Sequence, residues 1–351
     1  LMSLPQGAYW NHSWPIPETP GWTLSGHSRA LERTGFWIKE AGILLDAGID
    51  LPNPSTAPPA CILISHTHID HMNALPMLIR HTKPNFVTHI FAPRPVMHRL
   101  RQFVQLSFAV KVDDGDPMPE RYAPPEPIPP EVADGAEVRD GEFFSWRPVR
   151  GGLHLPIPLK GGTMIVQTLR LHHTVSTCGY ALLEEKNKVR PDLVGETKQA
   201  TGANVRAAKA RGEEVTCKET RPLVAFLCDT THEALDDEIN EVVFRCPTVL
   251  IECSFLEPEM DGEAMKRGHV VWHRLRPFIE RHPSVCWVLC HFSLRYKDEE
   301  IIEFFTNPET CGMSLRRESS GSPLIVLWLY TGPVQLWGPE AEAAAVVAAS
   351  S

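Results

Sequence analysis

Six consecutive residues carry the densest chemistry in this chain: His66-Thr67-His68-Ile69-Asp70-His71. Four of them offer a nitrogen or oxygen donor. Neutral imidazole together with carboxylate suits zinc, and harder first-row ions such as manganese tolerate the same set. The run follows CILIS (61–65), a short apolar stretch rich in β-branched residues, as expected of a strand buried between layers. Side chains alternate along a strand, so His66 and His68 leave on one side as the strand ends. Asp70 and His71 then come from a turn or the first turn of a helix. This spacing predicts a metal centre at the end of a strand.

The elements that must position such a centre can be read along the chain. GFWIKEAG and ILLDAGI predict strands between Thr23 and Leu51, each ending at glycine. HMNALPMLIRHT has apolar residues at helical spacing, PNFVTHIFAP predicts the next strand, and RPVMHRLRQFVQL the next helix. TMIVQTLRLHH, GYALLEE, PLVAFLCDTT, PTVLIECSF, VCWVLCHFS and SPLIVLWLY predict further strands, three of which end in polar residues. Strands alternating with helices in two successive halves imply a sandwich of two sheets flanked by helices, an α/β architecture. The single domain is expected to run over 21–337. Residues 1–20, rich in Pro and Trp, are expected to form a surface arm, and the low-complexity 338–351 a frayed tail. Ten prolines fall in 113–160, where ten acids face only Arg121 and Arg139 as far as Glu142, so an irregular surface insertion is expected there. Residues 186–221 carry nine Lys or Arg against five acids, and a solvated loop and helix are expected.

Composition narrows the function. A formal charge of −9 argues against a general basic surface that coats nucleic acid, though not against a local patch. The nine cysteines are widely spaced inside apolar runs, which predicts reduced thiols in an intracellular compartment, cytoplasm or nucleus. Cys286 and Cys290 lie in the strand-like run CWVLC and are expected in the core. Residues 1–14 show no basic start and no apolar run of a secretory leader, and no stretch is apolar enough to span a bilayer, so no membrane association is expected.

HTHIDH matches the HxHxDH signature of the metallo-β-lactamase superfamily, whose fold is an αββα sandwich, and the downstream pieces resemble its ribonuclease Z (tRNA 3′-processing endonuclease) branch. LLDAGI resembles that branch's first motif, HHTVSTCGY its third and LCDTT its Gly-Asp-Thr motif. IECSF resembles its Glu-[Ala/Ser/Cys]-Thr-Phe strand, and HFSLRY its final HFSxRY motif. The resemblance runs from about Ser25 to Tyr296. It implies two divalent metal ions, zinc or manganese, about 3.5–4 Å apart. His66, His68 and His173 would hold one ion and Asp70, His71 and His291 the other, with Asp229 between them and Asp46 nearby. His172 is the weaker alternative to His173.

By the same resemblance His269, in RGHVVWHRL, is the expected general acid beside the catalytic Asp70, with Glu252 to orient it and Arg295 to meet substrate. Precursor tRNA, cut to leave a 3′-hydroxyl, is the implied substrate, and a homodimer the implied assembly. Valine-serine-threonine stands where the third motif has valine-proline-serine, and Cys228 where the fourth has glycine. The branch's long glycine- and proline-rich arm has no clear counterpart, although 186–221 falls near its place. A small-molecule hydrolase of the same fold, acting on a cyclic nucleotide, another phosphodiester, a thioester or a lactone, stays open as the alternative.

Overall fold

The computed structural model describes residues 8–51, 58–80, 87–107, 125–139, 144–159, 162–313 and 325–336. The expected tail at 338–351, residues 1–7 and the start of the acidic stretch lie outside these residues.

The chain lays down one sheet, then the other. The first contains β1 (Ser13–Pro15), β2 (Thr23–Arg29), β3 (Arg33–Ile38), β4 (Ile43–Leu45), β5 (Cys61–Leu63), β6 (Thr88–Pro93), β7 (Val138–Arg139) and β8 (Phe144–Val149). The second contains β9 (His154–Leu159), β10 (Gly162–Arg170), β11 (Cys178–Val189), β12 (Thr216–Cys228), β13 (Thr248–Glu252), β14 (Cys286–Cys290), β15 (Ile325–Leu329) and β16 (Gly332–Gln335). The spatial orders are β1-β2-β3-β4-β5-β6-β8-β7 and β16-β15-β14-β13-β12-β11-β10-β9. In each sheet four central strands run parallel, β4-β5-β6-β8 and β12-β13-β14-β15, with antiparallel strands outside them. Two mixed eight-stranded sheets with helices outside them form the sandwich expected from the sequence.

Alternation along the parallel strands sorts side chains into layers. Leu45, Cys61, Leu63, Phe91, Leu250, Cys286, Val288 and Cys290 meet between the sheets. Leu44, Ile62 and Ile90 face outward onto α2 (Leu75–Arg80) and α3 (Arg94–Leu106), which sit after α1 (Ile69–Met72). On the second sheet Val249, Ile251, Trp287 and Leu289 face outward against α6 (Trp272–Arg281) and α7 (Asp298–Thr306). Strands covered on both faces read as continuous apolar runs, which is why CILIS and CWVLC carry no polar alternation. All nine cysteines are free thiols, and Cys286 and Cys290 are core residues. No helix among the described residues is long and apolar enough to cross a membrane.

Three expectations change. The proline- and tryptophan-rich start is not only a surface arm: β1 pairs with β2, and Trp14 and Ile16 enter the inter-sheet core. The segment expected as an irregular insertion supplies β7, β8 and β9, with Trp146, Val149 and Ile157 buried. Proline misleads in both places for one reason. β1 and β9 are edge strands, where a missing N–H costs no ladder bond. The basic segment, finally, is no simple loop. β11 and β12 stay paired out to Val189↔Thr216, beyond a bulge at Leu182/Leu183 facing Pro222. Outside that bulge the strands are mostly exposed, so they leave the sheet as a two-stranded ribbon tipped by α4 (Lys198–Ala210).

Candidate metal centre

Five parallel strands deliver the site from their C-terminal ends: Asp46 follows β4, His66 follows β5, Asp229 follows β12, Glu252 closes β13 and His291 follows β14. Open parallel sheets present chemistry at this end. Two of these residues, Asp46 (φ 58°) and His291 (φ 57°), and Cys228 (φ 50°) just before Asp229, turn the chain through left-handed backbone. Each such non-glycine residue costs about 1–2 kcal/mol, and such strain clusters where side chains must be aimed. Strand pairing stops at Leu63, His68 is extended, and α1 begins at Ile69, so Asp70 and His71 do come from a first helical turn. Gly48 lets the Asp46 loop press against this turn, because a Cβ there would lie 1.8 Å from the Asp70 carbonyl oxygen.

The donors gather into two sets. In the first, His66 Nε2 lies 3.0 Å from His68 Nδ1, and His173 Nε2 lies 3.2 Å from the same atom. In the second, His71 Nε2 is 3.4 Å from His291 Nε2, with Asp70 Oδ2 at 3.5 and 3.7 Å from the two. Asp229 lies between the sets. Its Oδ2 is 3.8 Å from His66 Nε2, 4.0 Å from His173 Nε2 and 3.5 Å from His71 Nε2, while its Oδ1 is 3.4 Å from His291 Nδ1. Ligand atoms about 2.0–2.1 Å from a tetrahedral ion stand roughly 3.3–3.4 Å apart. The separations, 3.0–4.0 Å, bracket that spacing, so the residues are placed to hold divalent cations. All seven residues named from the sequence are brought together. His172 is not among them: its side chain is exposed, and its backbone N–H donates to Thr230 Oγ1.

Outer hydrogen bonds hold the imidazoles in the orientation a ligand needs. His71 Nδ1 meets Asp46 Oδ2 at 2.8 Å, His173 Nδ1 meets the Gly268 carbonyl at 2.8 Å, and His66 Nδ1 meets Ser65 Oγ at 2.9 Å. The Leu31 N–H donates to Asp70 Oδ2 at 3.0 Å. Asp46 is itself held by the Ser65 N–H (2.7 Å), the Ser65 hydroxyl (2.8 Å) and the Cys228 thiol (3.2 Å). Ser65, Cys228, Gly268 and the Leu31 amide have no signature of their own in the sequence. Replacing Asp46 by alanine leaves His71 Nδ1 without its carboxylate; metal affinity should fall about 10–100-fold in a chelator competition, and an unchanged affinity would refute this support role.

Electrostatics favour the protonation state a ligand needs at His66, His68, His173, Asp70 and Asp229, but not at His71. Burial, with the neighbouring imidazoles, pushes His66, His68 and His173 below the ordinary histidine pKa, which keeps them neutral as ligands must be. Burial opposes ionisation of Asp70 and Asp229, but His291 and His71 beside both hold their carboxyls far below the usual range. His71 is shifted upward: burial works against this, and Asp229, Asp46 and Asp70 outweigh it.

His269 lies beside this centre, in the connection between α5 (Asp261–Arg267) and α6 rather than on a helix. Gly268 ends α5 in left-handed conformation (φ 70°), and a Cβ there would strike His173 at 2.8 Å. His269 Nδ1 meets the fully buried Glu252 at 2.9 Å. Burial lowers the His269 pKa, but the Glu252 charge and hydrogen bond, with Asp229, carry it up to about 9. A cavity of about 400 Å³ over the centre is lined by His68, Asp70, His173, Asp229, His269 and His291 among others. A more open groove of about 720 Å³ continues past His173, Thr174 and Lys266. Arg295 is exposed beyond the cavity's Phe255, its guanidinium 5.1 Å from that ring.

Residues 42–139 match the family described as the Beta-lactamase superfamily domain, a stretch that holds Asp46 and the whole His66–His71 run. The match spans less than a third of the chain. tRNase Z TRZ1 of Arabidopsis thaliana is 24% identical over 247 residues, 68% of this chain and 75% of that protein. The crystal structure of the short form of human tRNase Z superposes with a TM-score of 0.45 at 14% identity, covering 82% of this chain and 93% of that one. A diphosphatase of the PhnP family gives 0.42 at 12% identity, covering 88% and 80%. What the described residues show is a buried set of histidines and aspartates that could hold metal ions.

Proposed function

We propose that this protein is a binuclear metal-dependent phosphodiesterase that removes the 3′ trailer of precursor tRNA. The observation that carries the two-metal reading is Asp229, a buried carboxylate whose two oxygens stand between two complete donor sets. When bound, two such cations supply Lewis acidity, lowering the pKa of a water and offsetting charge on phosphoryl oxygen. The chain's own residues do the rest. Asp70 and Asp229 bring negative charge that makes cation binding favourable, while Asp46, Ser65 and the Gly268 carbonyl fix the imidazoles. His269, kept protonated by Glu252 and facing the cavity, delivers a proton to the departing alkoxide. Zinc is the ion the imidazole-rich sets suit best, with manganese compatible.

RNA as the substrate is supported by the similarity to a plant tRNase Z and by the ribbon. Lys198, Arg206 and Lys209 on α4 form no ion pair among the described residues, whereas Lys186, Lys188, Arg190, Lys218 and Arg221 do. Three free cations on an exposed helix suit contact with phosphate. Changing all three to alanine should weaken precursor tRNA binding and flatten the slope of log K against log salt by roughly two to three. Hydrolysis of bis(p-nitrophenyl) phosphate should stay unchanged. An unaltered salt slope would remove the helix from the RNA surface.

The second reading, a small-molecule hydrolase, is favoured by the formal charge of −9 and by the cross-strand ion pairs that neutralise most of the ribbon. Incubating a 3′-extended tRNA precursor with zinc or manganese separates the two, with Asp70→Ala as control. A single cut after the discriminator nucleotide, absent in the variant, is the expected result. Hydrolysis of the aryl diester without any cut in the precursor would favour the small-molecule reading.

A further inference from the structure

One hydroxyl links the two working parts of the cavity. Ser254 follows β13, is 1% exposed, and sits between Glu252, His269 and His291. Its Oγ lies 2.6 Å from Glu252 Oε2, 3.0 Å from the His291 carbonyl oxygen, 3.3 Å from His291 Nδ1 and 3.5 Å from His269 Nδ1. A serine has one proton to give. The carboxylate is both the shortest and the charged acceptor, so the proton goes to Glu252. The oxygen's lone pairs then remain for the N–H of His291.

That assignment sets both rings. Glu252 Oε1 accepts from the Thr230 N–H at 2.8 Å and from His269 Nδ1 at 2.9 Å, while Oε2 takes the Ser254 hydroxyl. Every oxygen of this buried carboxylate is thereby engaged, and it cannot turn away from His269. On the other side, His291 Nδ1 has two acceptors, Ser254 Oγ at 3.3 Å and Asp229 Oδ1 at 3.4 Å. Asp229 also faces both donor sets. Ser254 is the acceptor with no competing role, and it keeps the proton on Nδ1, so that Nε2 of His291 faces Asp70 and His71 as a bare donor.

We propose that Ser254 is a positioning residue that couples the metal-ligating ring of His291 to the Glu252–His269 pair, fixing the His291 tautomer and the orientation of His269 through one hydroxyl. The proposal rests on the reading of His291 as a ligand and His269 as the proton donor. Ser254 has no contact with reacting atoms and acts through its neighbours. Alanine there leaves Glu252 Oε2 and His291 Nδ1 each short of a partner. Threonine keeps the oxygen.

The test uses the full chain loaded with cobalt(II), whose visible absorption reports ligand geometry. Ser254→Ala should change those bands, weaken metal retention against a chelator about 10–100-fold, and lower kcat for both bis(p-nitrophenyl) phosphate and the tRNA precursor with KM little altered. Ser254→Thr should restore the spectrum and the metal affinity. His269→Ala should leave spectrum and affinity as in the parent. The proposal is overturned if Ser254→Ala matches the parent in spectrum and affinity, or if threonine fails to rescue a variant that unfolds at the parent's temperature. A His269→Ala variant that cuts the precursor at the parent rate sinks the proton-donor reading instead, and leaves the cobalt result to judge the link to His291.

Discussion

If the proposed two-metal hydrolase reading holds, Asp229→Asn should cost most of the hydrolytic rate, on the order of 10³-fold, and at least one bound metal. The substitution preserves shape, so packing is an unlikely source of the loss. It removes the negative charge that stands 3.4–4.0 Å from His66, His71, His173 and His291, and it replaces one acceptor oxygen with a donor NH2. Two cations a few ångströms apart repel one another strongly unless an anion lies between them. The several kcal/mol that metal catalysis contributes corresponds to a rate factor of this size. Metal analysis after gel filtration, paired with rates on bis(p-nitrophenyl) phosphate, measures both. A variant with two metals per chain and the parent rate would refute the bridging role.

His269→Ala should separate substrates by their leaving groups. A ribose alkoxide departs poorly without a proton, and a placed general acid contributes about 10²–10⁴-fold. A nitrophenolate leaves as a stable anion and needs no such help. Precursor tRNA cleavage should therefore fall by about that factor, while aryl diester hydrolysis changes only a few-fold. Equal losses on both substrates would point to a damaged metal centre instead. The pH dependence gives the sign independently. An acid works in its protonated form, so the rate falls as pH rises through its pKa. Burial pulls the His269 pKa down and Glu252 carries it up to about 9. Glu252→Gln should therefore move the alkaline limb of the tRNA profile to lower pH; a limb that stays in place or rises would contradict the pairing.

How much of this was legible in the sequence depended on distance along the chain. His66, His68, Asp70 and His71 lie within six residues, and their convergence follows from one strand end and one helical turn. His173, Asp229 and His291 were legible only through their resemblance to a family, because no local pattern places residues as much as 220 positions apart beside each other. The continuous apolar strands were readable for the same reason they are buried. β1 and β9 were not, since edge strands tolerate the prolines that elsewhere mark irregular chain. The contacts of Ser65 and Cys228 with Asp46 were not legible, since they join residues 19 and 182 positions apart and no local pattern marks them.

The donor sets also divide by origin, four residues from the first sheet's half of the chain and three from the second's. A bound ion pair would therefore act as a clasp across the seam between two separately assembled halves. Closing so long a loop restricts the unfolded chain more than a local site could. Each sheet is built from its own half of the chain, so its strand pairing does not depend on the centre. Removal of metal should then loosen the seam first, raising amide exchange at the strand ends around Asp46, Asp229 and His291 while the cores behind α3 and α6 stay protected.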